Sequence, residues 1–323
     1  MGEKFMRRDL EFGLDVGVYG RLALPKEVMK LATLAENEGF QSVWLADHVV
    51  FPTTVASQYP YSPDGKFPVP LDELLLEPIA TMGVLVGATQ RVKIGTAVLV
   101  IPYRNPILLA RMLATLDQFS SGRIILGIGA GWVENEFDAL AINFADRGRR
   151  TDEYLRVCKA CWGPDPISYT GAYHQFQDMH SSPKPVQKPH PPIWIGGSSR
   201  AALRRAAEFA DVWQPVPTPL PDLIANKAKL VEACEKAGRA EPPKVRMSFR
   251  VNFSEITGKD PMSSDGNRLT GHGAIEDIAS DIKQYRDKAD LDQFQLNFNG
   301  CGSLEELERS MTIFMEQVRP AVT

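Results

Sequence analysis

The chain has 323 residues, of which 24% are charged and 44% hydrophobic, and its formal net charge is -4. This is the balance of an ordinary globular protein, without the strongly basic surface that nucleic acid or an anionic membrane would favour. Met1 to Asp9 lacks the apolar core of a signal peptide and no later run is apolar for long enough to span a bilayer, so a cytoplasmic protein with no nucleic-acid or membrane partner is expected.

Strand-like and helix-like stretches alternate from end to end. Leu10 to Val18 reads as the first strand, and Pro25 to Glu38 as a helix with proline in its first turn and Gly39 as its stop. Gln41 to Ala46 is the second strand. A helix over Leu71 to Val86 that contains Pro78, a strand over Val92 to Val98, a helix over Pro106 to Phe119 and a strand over Arg123 to Ile128 follow. Next comes a helix from Thr151 to Trp162, capped by Thr151 with Asp152 and Glu153 in its first turn, and a proline-rich connection from Gly163 to Pro192. The remaining strands are Ile193 to Ile195, Val212 to Gln214, Val245 to Phe253 and Gln293 to Phe298. The helices between and after them are Arg200 to Phe209, Asp222 to Ala237, Ala274 to Arg286 and Leu304 to Val318.

Eight such units predict a (β/α)8 TIM barrel, a single domain over residues 1–323, rather than an open doubly wound sheet. Two long segments without periodicity, Thr53 to Pro70 and Thr257 to Gly273, follow the second and seventh strands. In a barrel both are insertions on the catalytic face, where lids and substrate walls are built; mobile connections without a role are the alternative. The first contains Tyr59, Tyr61, Phe67 and several prolines, which suggests a mostly apolar small organic substrate.

Two segments carry chemistry. From Arg123 an apolar run leads into alternating glycines at Gly127, Gly129 and Gly131, which suit either a flat ligand approached by backbone or a plain strand-to-helix turn. It is a poor dinucleotide fingerprint, being far from the start of the chain and wrongly spaced. Pro192 to Arg200 runs from a strand through Gly196, Gly197, Ser198 and Ser199 into a helix start; from the residues alone this is a capped helix, and its free N–H groups also suit an anion. Cys158 and Cys161 fall on one face of an amphipathic helix and read as core packing. The five histidines, at 48, 174, 180, 190 and 272, show no His-x-His at a strand end, so no metal site is expected.

Gln41-Ser42-Val43-Trp44-Leu45-Ala46-Asp47-His48, Gly95-Thr96-Ala97-Val98-Leu99, Pro102-Tyr103-Arg104-Asn105-Pro106 and the glycine segment together resemble the bacterial luciferase-like monooxygenase family. The resemblance covers nearly the whole chain and is weakest from Thr257 to Phe298. It implies a (β/α)8 barrel that uses FMN or the deazaflavin F420, and an enzyme of monooxygenase, dehydrogenase or reductase type. Asp47-His48 looks like the acidic-His pair of the deazaflavin branch. His48 would then be catalytic as a proton relay, and Asp47, catalytic and cofactor-facing, either fixes its tautomer or caps a turn.

Ala97 and Val98 match the place where the family has a non-prolyl cis peptide under the ring system, and Gly129, Ala130 and Gly131 would line the same ring. Gly196, Gly197 and Ser198 match the phosphate region, with Trp213 closing over it. Arg147 to Thr151 precedes a helix where relatives place a cofactor-facing Arg or Tyr, although such charge runs are usually solvated. Trp132, with Glu134 two positions on, stands where some sugar-phosphate dehydrogenases of the family have a catalytic glutamate, which argues against that substrate class. The expected function is hydride transfer between F420 and an apolar small molecule by a homodimer; FMN with oxygen is the alternative, and a non-catalytic flavin-binding barrel is a third reading.

Overall fold

The computed structural model describes residues 10–17, 20, 23–52, 73–298 and 300–323. Eight strand positions alternate with eight helices. The strands are β1 (Glu11–Asp15), β2 (Ser42–Leu45), β3 (Lys93–Thr96), β4 (Ile124–Gly129), β5 (Ile193–Gly196), β6 (Val212–Gln214), β7 in two stretches (Lys244–Val245 and Met247–Arg250) and β8 (Gln293–Asn297). The helices that follow them in turn are α1 (Pro25–Glu38), α2 (Pro78–Ala88), α3 (Pro106–Ser120), α4 (Arg147–Trp162), α5 (Arg200–Phe209), α6 (Leu220–Lys236), α7 (Ile275–Ala289) and α8 (Leu304–Ile313).

Every neighbouring pair from β1 to β6 is parallel, with β4 taking the place beside both β3 and β5. The first stretch of β7 pairs with β6 and the second with β8, which pairs with β1. The ring therefore closes through β7, which changes partner at Arg246, and the fold is the expected (β/α)8 TIM barrel.

Alternation decides what fills it. Phe12, Leu14, Val43, Leu45, Ile94, Leu126, Ile195, Phe294 and Leu296 point outward into the main core beneath the helices. The opposite face of the strands points to the barrel axis, where Trp44, Ile125, Trp194 and Val212 form a separate buried cluster. The Trp44 and Trp194 rings lie 4.4 Å apart and plug the barrel. Small neighbours make room for them: a Cβ built on Gly95 would lie 2.4 Å from Trp44 Cζ3, and one on Gly13 2.4 Å from its Nε1.

Several boundaries differ from the sequence reading. Pro78 opens α2 rather than sitting inside it, and the Glu77 carboxylate accepts the Ala80 N–H at 2.6 Å as a cap. The fourth helix starts at Arg147, not Thr151, whose hydroxyl donates back to Arg147 O at 2.7 Å from within the helix. The connection from Gly163 to Pro192 holds an antiparallel hairpin, Ile167–Thr170 with Gln175–Met179. Its tip is fastened to α4 by Glu153, which accepts the N–H groups of Ala172, Tyr173 and His174 at 2.7 to 2.9 Å. A short helix, Glu134–Ala139, intervenes before α4, and α8 continues through a π turn over Phe314–Val318.

Of the two long segments, Thr53 to Pro70 lies outside the described residues. Thr257 to Gly273 is ordered around Arg268, which donates to both carboxylate oxygens of Asp281 at 2.8 and 2.7 Å, while the Gly271 N–H adds a third bond at 2.7 Å. Cys158 and Cys161 are buried and unbridged, and burial pushes the Cys158 thiol well above its ordinary range, as expected of packing residues. Among the described residues no helix is long and apolar enough to cross a membrane.

The tryptophan plug gives a direct test. Gly95→Ala forces a methyl against a rigid indole and is expected to lose about 1–3 kcal/mol of unfolding free energy. Gly87→Ala, on α2 with nothing within 4 Å of the new methyl, is expected to gain about 0.4–1 kcal/mol. Equal urea midpoints for Gly95→Ala and the wild type would show that the plug is loosely packed.

Candidate functional site

Asp47 and His48 leave the C-terminal end of β2, the face on which barrels of this kind carry their chemistry. Their side chains part ways. Asp47 is buried, and its Oδ2 accepts the Val100 N–H at 2.8 Å and Arg104 Nη1 at 2.6 Å, while Oδ1 accepts Arg104 Nη2 at 2.9 Å. Arg104 Nη2 reaches on to Glu77 Oε1 at 2.6 Å. Burial pushes the Asp47 carboxyl upward, with the guanidinium and the Val100 N–H pulling the other way. Asp47 thus clasps the segment after β3 to the end of β2 and makes no hydrogen bond to the His48 ring. Of the two roles expected for it, the geometry is that of the structural one.

The carboxylate on His48 comes from elsewhere. His48 Nδ1 lies 2.8 Å from Oε2 of Glu136, a fully buried residue of the short helix Glu134–Ala139. The same Oε2 accepts the Tyr103 hydroxyl at 2.9 Å, and Oε1 accepts the Val49 N–H at 2.6 Å and the Val50 N–H at 3.4 Å. Burial, and then the Glu136 charge, push the Tyr103 phenol far above its ordinary value, so it stays a donor. With Nδ1–H donating its hydrogen bond to Glu136, Nε2 is left as the basic nitrogen of the neutral ring. The Phe51 ring sits 4.5 Å from the imidazole, and Trp132 meets it edge-on at 6.0 Å.

Glu136 and Tyr103 were missed by the sequence reading, which weighed Glu134; Glu134 is exposed. The signal was present. Val133, Phe137 and Leu140 recur at helical spacing, and Glu136 shares their face rather than that of Glu134.

The Ala97–Val98 peptide is cis. Beyond it the chain forms a short strand, Leu99–Val100, beside β4, and the Val98 side chain lies against Gly129 and Gly196. A Cβ on Gly129 would lie 2.6 Å from Val98 Cγ2, and one on Gly196 2.6 Å from Val98 Cγ1. Those two glycines, expected to approach a ligand, first of all admit Val98. Ala130 and Gly131, the latter with φ of 84°, continue the same rim.

At the end of β5 the chain turns through Gly197, whose φ of 90° suits glycine, into α5. Ser199 caps that helix, its Oγ accepting the Ala202 N–H at 3.2 Å. Ser198 Oγ is buried and has no hydrogen-bond partner among the described residues, and neither has the buried Nε of Arg150 in the first turn of α4. Trp213 is fully buried and donates its indole N–H to Gly197 O at 2.7 Å, so it supports the turn from below. Arg147 lies over the Phe144 ring and Arg150 over the Tyr173 ring, at 3.8 and 4.2 Å, whereas Arg149 is exposed. Among the described residues no group of His, Cys, Asp or Glu is arranged to hold a metal ion.

Because Arg104 is the counter-charge of a buried carboxylate, Arg104→Leu is expected to lose about 3–5 kcal/mol of stability, and Arg104→Lys less. Urea unfolding checks both, and a wild-type midpoint for Arg104→Leu would mean that Asp47 needs no partner.

Comparison with known proteins agrees with this geometry. A family model described as luciferase-like monooxygenase matches residues 13–256. An FMNH(2)-dependent dimethylsulfone monooxygenase of Pseudomonas putida is 35% identical over 185 residues, 56% of this chain; the chain spans only 46% of that enzyme's length. An uncharacterized protein of Mycobacterium tuberculosis is 30% identical over 251 residues, 77% of this chain and 82% of its own. Among solved structures, an F420-dependent secondary alcohol dehydrogenase in complex with an F420-acetone adduct superposes with a TM-score of 0.78 at 21% identity, over 98% of this chain and 99% of its own. A type II Baeyer-Villiger monooxygenase of Pseudomonas putida in complex with FMN gives 0.73 at 18% identity, over 98% and 99%. The match from Gly13 to Ile256 runs from the middle of β1 through β7 and takes in every side chain of the His48 cluster, and on it the chain belongs to the luciferase-like monooxygenase family.

Proposed function

We propose that the protein is an oxidoreductase that transfers hydride between the deazaflavin F420 and a small organic substrate. The observation that supports this most is the buried Glu136, which holds Nδ1 of His48 at 2.8 Å at the mouth of the barrel. A residue that relays a proton needs a fixed tautomer and a ring that cannot swing, and Glu136, Phe51 and Trp132 supply both.

The residues also fit such a cofactor. Ser198 Oγ, buried and without a partner at the start of a helix, is the kind of donor a phosphate would satisfy, together with the free N–H groups of α5. Val98, Ala97, Gly129, Ala130 and Gly131 would lie under the ring. When bound, a deazaflavin supplies a carbon centre that accepts or gives hydride and reacts poorly with oxygen. The protein's part is to hold the two ends, to exclude water with Phe51, Trp132 and Val98, and to give or take a proton at His48 Nε2 while Glu136 stabilises the imidazolium. A homodimer remains part of this proposal.

The second reading is an FMN-dependent monooxygenase, and the 35% identity to the FMNH(2)-dependent dimethylsulfone enzyme favours it. Fluorescence titration separates the two. Under the first reading F420 binds about tenfold tighter than FMN or better, whereas tighter FMN binding with oxygen uptake establishes the second.

Two variants test the roles. His48→Asn is expected to keep cofactor affinity while turnover falls about 10²- to 10⁴-fold; hydride transfer at the wild-type rate from pH 5 to 9 would remove His48 from the chemistry. Ser198→Ala is expected to weaken cofactor binding about 3- to 10-fold without changing stability, because it removes a donor the apo fold does not use. Unchanged affinity would move the phosphate elsewhere.

A further inference from the structure

The last rungs of β1 and β8 carry a carboxyl group that the His48 cluster does not use. Gly13 faces the barrel axis, against Trp44, so Asp15, two residues on, faces the same way at the C-terminal end of β1. Gln295 of β8 meets Gln214 inside the barrel, which puts Asn297 on the inner face as well. Asn297 Nδ2 donates to Asp15 Oδ2 at 2.7 Å, and the Gly17 N–H donates to Oδ1 at 3.1 Å. No Lys, Arg or His side chain among the described residues lies within ion-pair distance of Asp15. Arg250, in register with Asn297 on the far side of β8, is exposed and pairs with neither.

Asp15 is a half-buried carboxyl group at the mouth of the barrel, without a counter-cation among the described residues, and is placed to accept from a donor that enters there. Its two present bonds leave acceptor capacity on both oxygens, and burial holds its pKa above the ordinary value. We propose that Asp15, held by Asn297, is a specificity-determining residue that accepts a hydrogen bond from the substrate, and that the substrate therefore carries a donor group, a hydroxyl or a protonated amine. This narrows the mostly apolar molecule suggested by Thr53 to Pro70 to one with a polar end turned towards β1 and β8. The inference rests on the proposed function only in taking the barrel mouth as the substrate site.

The competing role for Asp15 is purely local, since its bond to Gly17 N closes a turn after β1. Asp15→Asn separates the two, because the amide oxygen can still accept that N–H while the carboxylate is gone. The probes are benzyl alcohol, benzylammonium and toluene, titrated calorimetrically into the full chain with and without cofactor. The wild type is expected to bind at least one of the two donors about tenfold tighter than toluene. Asp15→Asn is expected to lose that preference by a similar factor while its unfolding midpoint stays put.

A preference for benzylammonium alone assigns an amine, and one for benzyl alcohol alone a hydroxyl. Equal binding of all three probes, or a preference that survives in Asp15→Asn, overturns the proposal, and a lowered midpoint with the preference intact leaves Asp15 a turn residue. Because the calorimetric signal needs no cofactor, failure of F420 and FMN to bind would count against the proposed function and not against Asp15.

Discussion

The organisation of the barrel mouth depends on one buried carboxylate. Among the described residues Glu136 has no lysine or arginine in ion-pair contact, yet it sits in the core with donors from two segments: the His48 ring and Val49 and Val50 N–H groups beyond β2, and the Tyr103 hydroxyl from the segment after β3. Its own helix follows β4. Three consecutive strand ends are thereby tied at a point. An ion without a counter-ion is tolerable inside a protein only when hydrogen bonds replace its hydration shell. That requirement works in reverse too, since removing any one donor leaves the charge undersatisfied, and so the position of His48 is over-determined.

Asp47 solves a different problem a few ångströms away. It has a counter-ion, and its two-pronged contact with Arg104 holds the Val100–Arg104 segment in place. Tyr103 and Arg104 are adjacent in sequence and serve opposite carboxylates, Tyr103 Glu136 and Arg104 Asp47. The two clusters are therefore mechanically coupled through one short turn, Ile101–Tyr103, while only one of them touches the imidazole. An acidic-His dipeptide in sequence invites the inference that the two side chains act on each other. Here the backbone sends them to separate partners.

What the sequence made legible follows from how local each signal is. The first helix, Pro25–Glu38, matches its expected bounds because Pro25 and Gly39 mark its ends by backbone chemistry alone, Gly39 with φ of 87°. The eightfold alternation was equally plain, since each strand's outward residues feed one core. Thr151 misled because a hydroxyl can cap a helix or bond back within one, and only the turn upstream, capped by Asn143, decides between them. The hairpin between α4 and β5 was hidden by prolines and by exposed, polar strands whose stability comes from Glu153, a contact made across the fold. The same holds for Glu136, whose partners lie more than 30 residues away in sequence. Residues whose role is set by long-range hydrogen bonds leave little periodic trace.

The interior of the barrel shows how function and packing divide the same strands. Toward the N-terminal ends the inner faces carry Trp44, Trp194, Ile125 and Val212, a dry plug that needs Gly13 and Gly95 to close. One level higher Gln214 and Ser248 both donate to Gln295 Oε1, and at the last rungs stand Asp15, Asn297 and Arg250. Polarity thus rises along the axis toward the mouth, on the β6–β8 and β1 side, while Val98 and the glycines keep the β3–β5 side smooth and apolar. A flat ring system resting on the smooth side would leave the polar side to a second molecule. The two sides of the barrel mouth therefore differ in chemistry, and His48, at the end of β2, stands at the border between them.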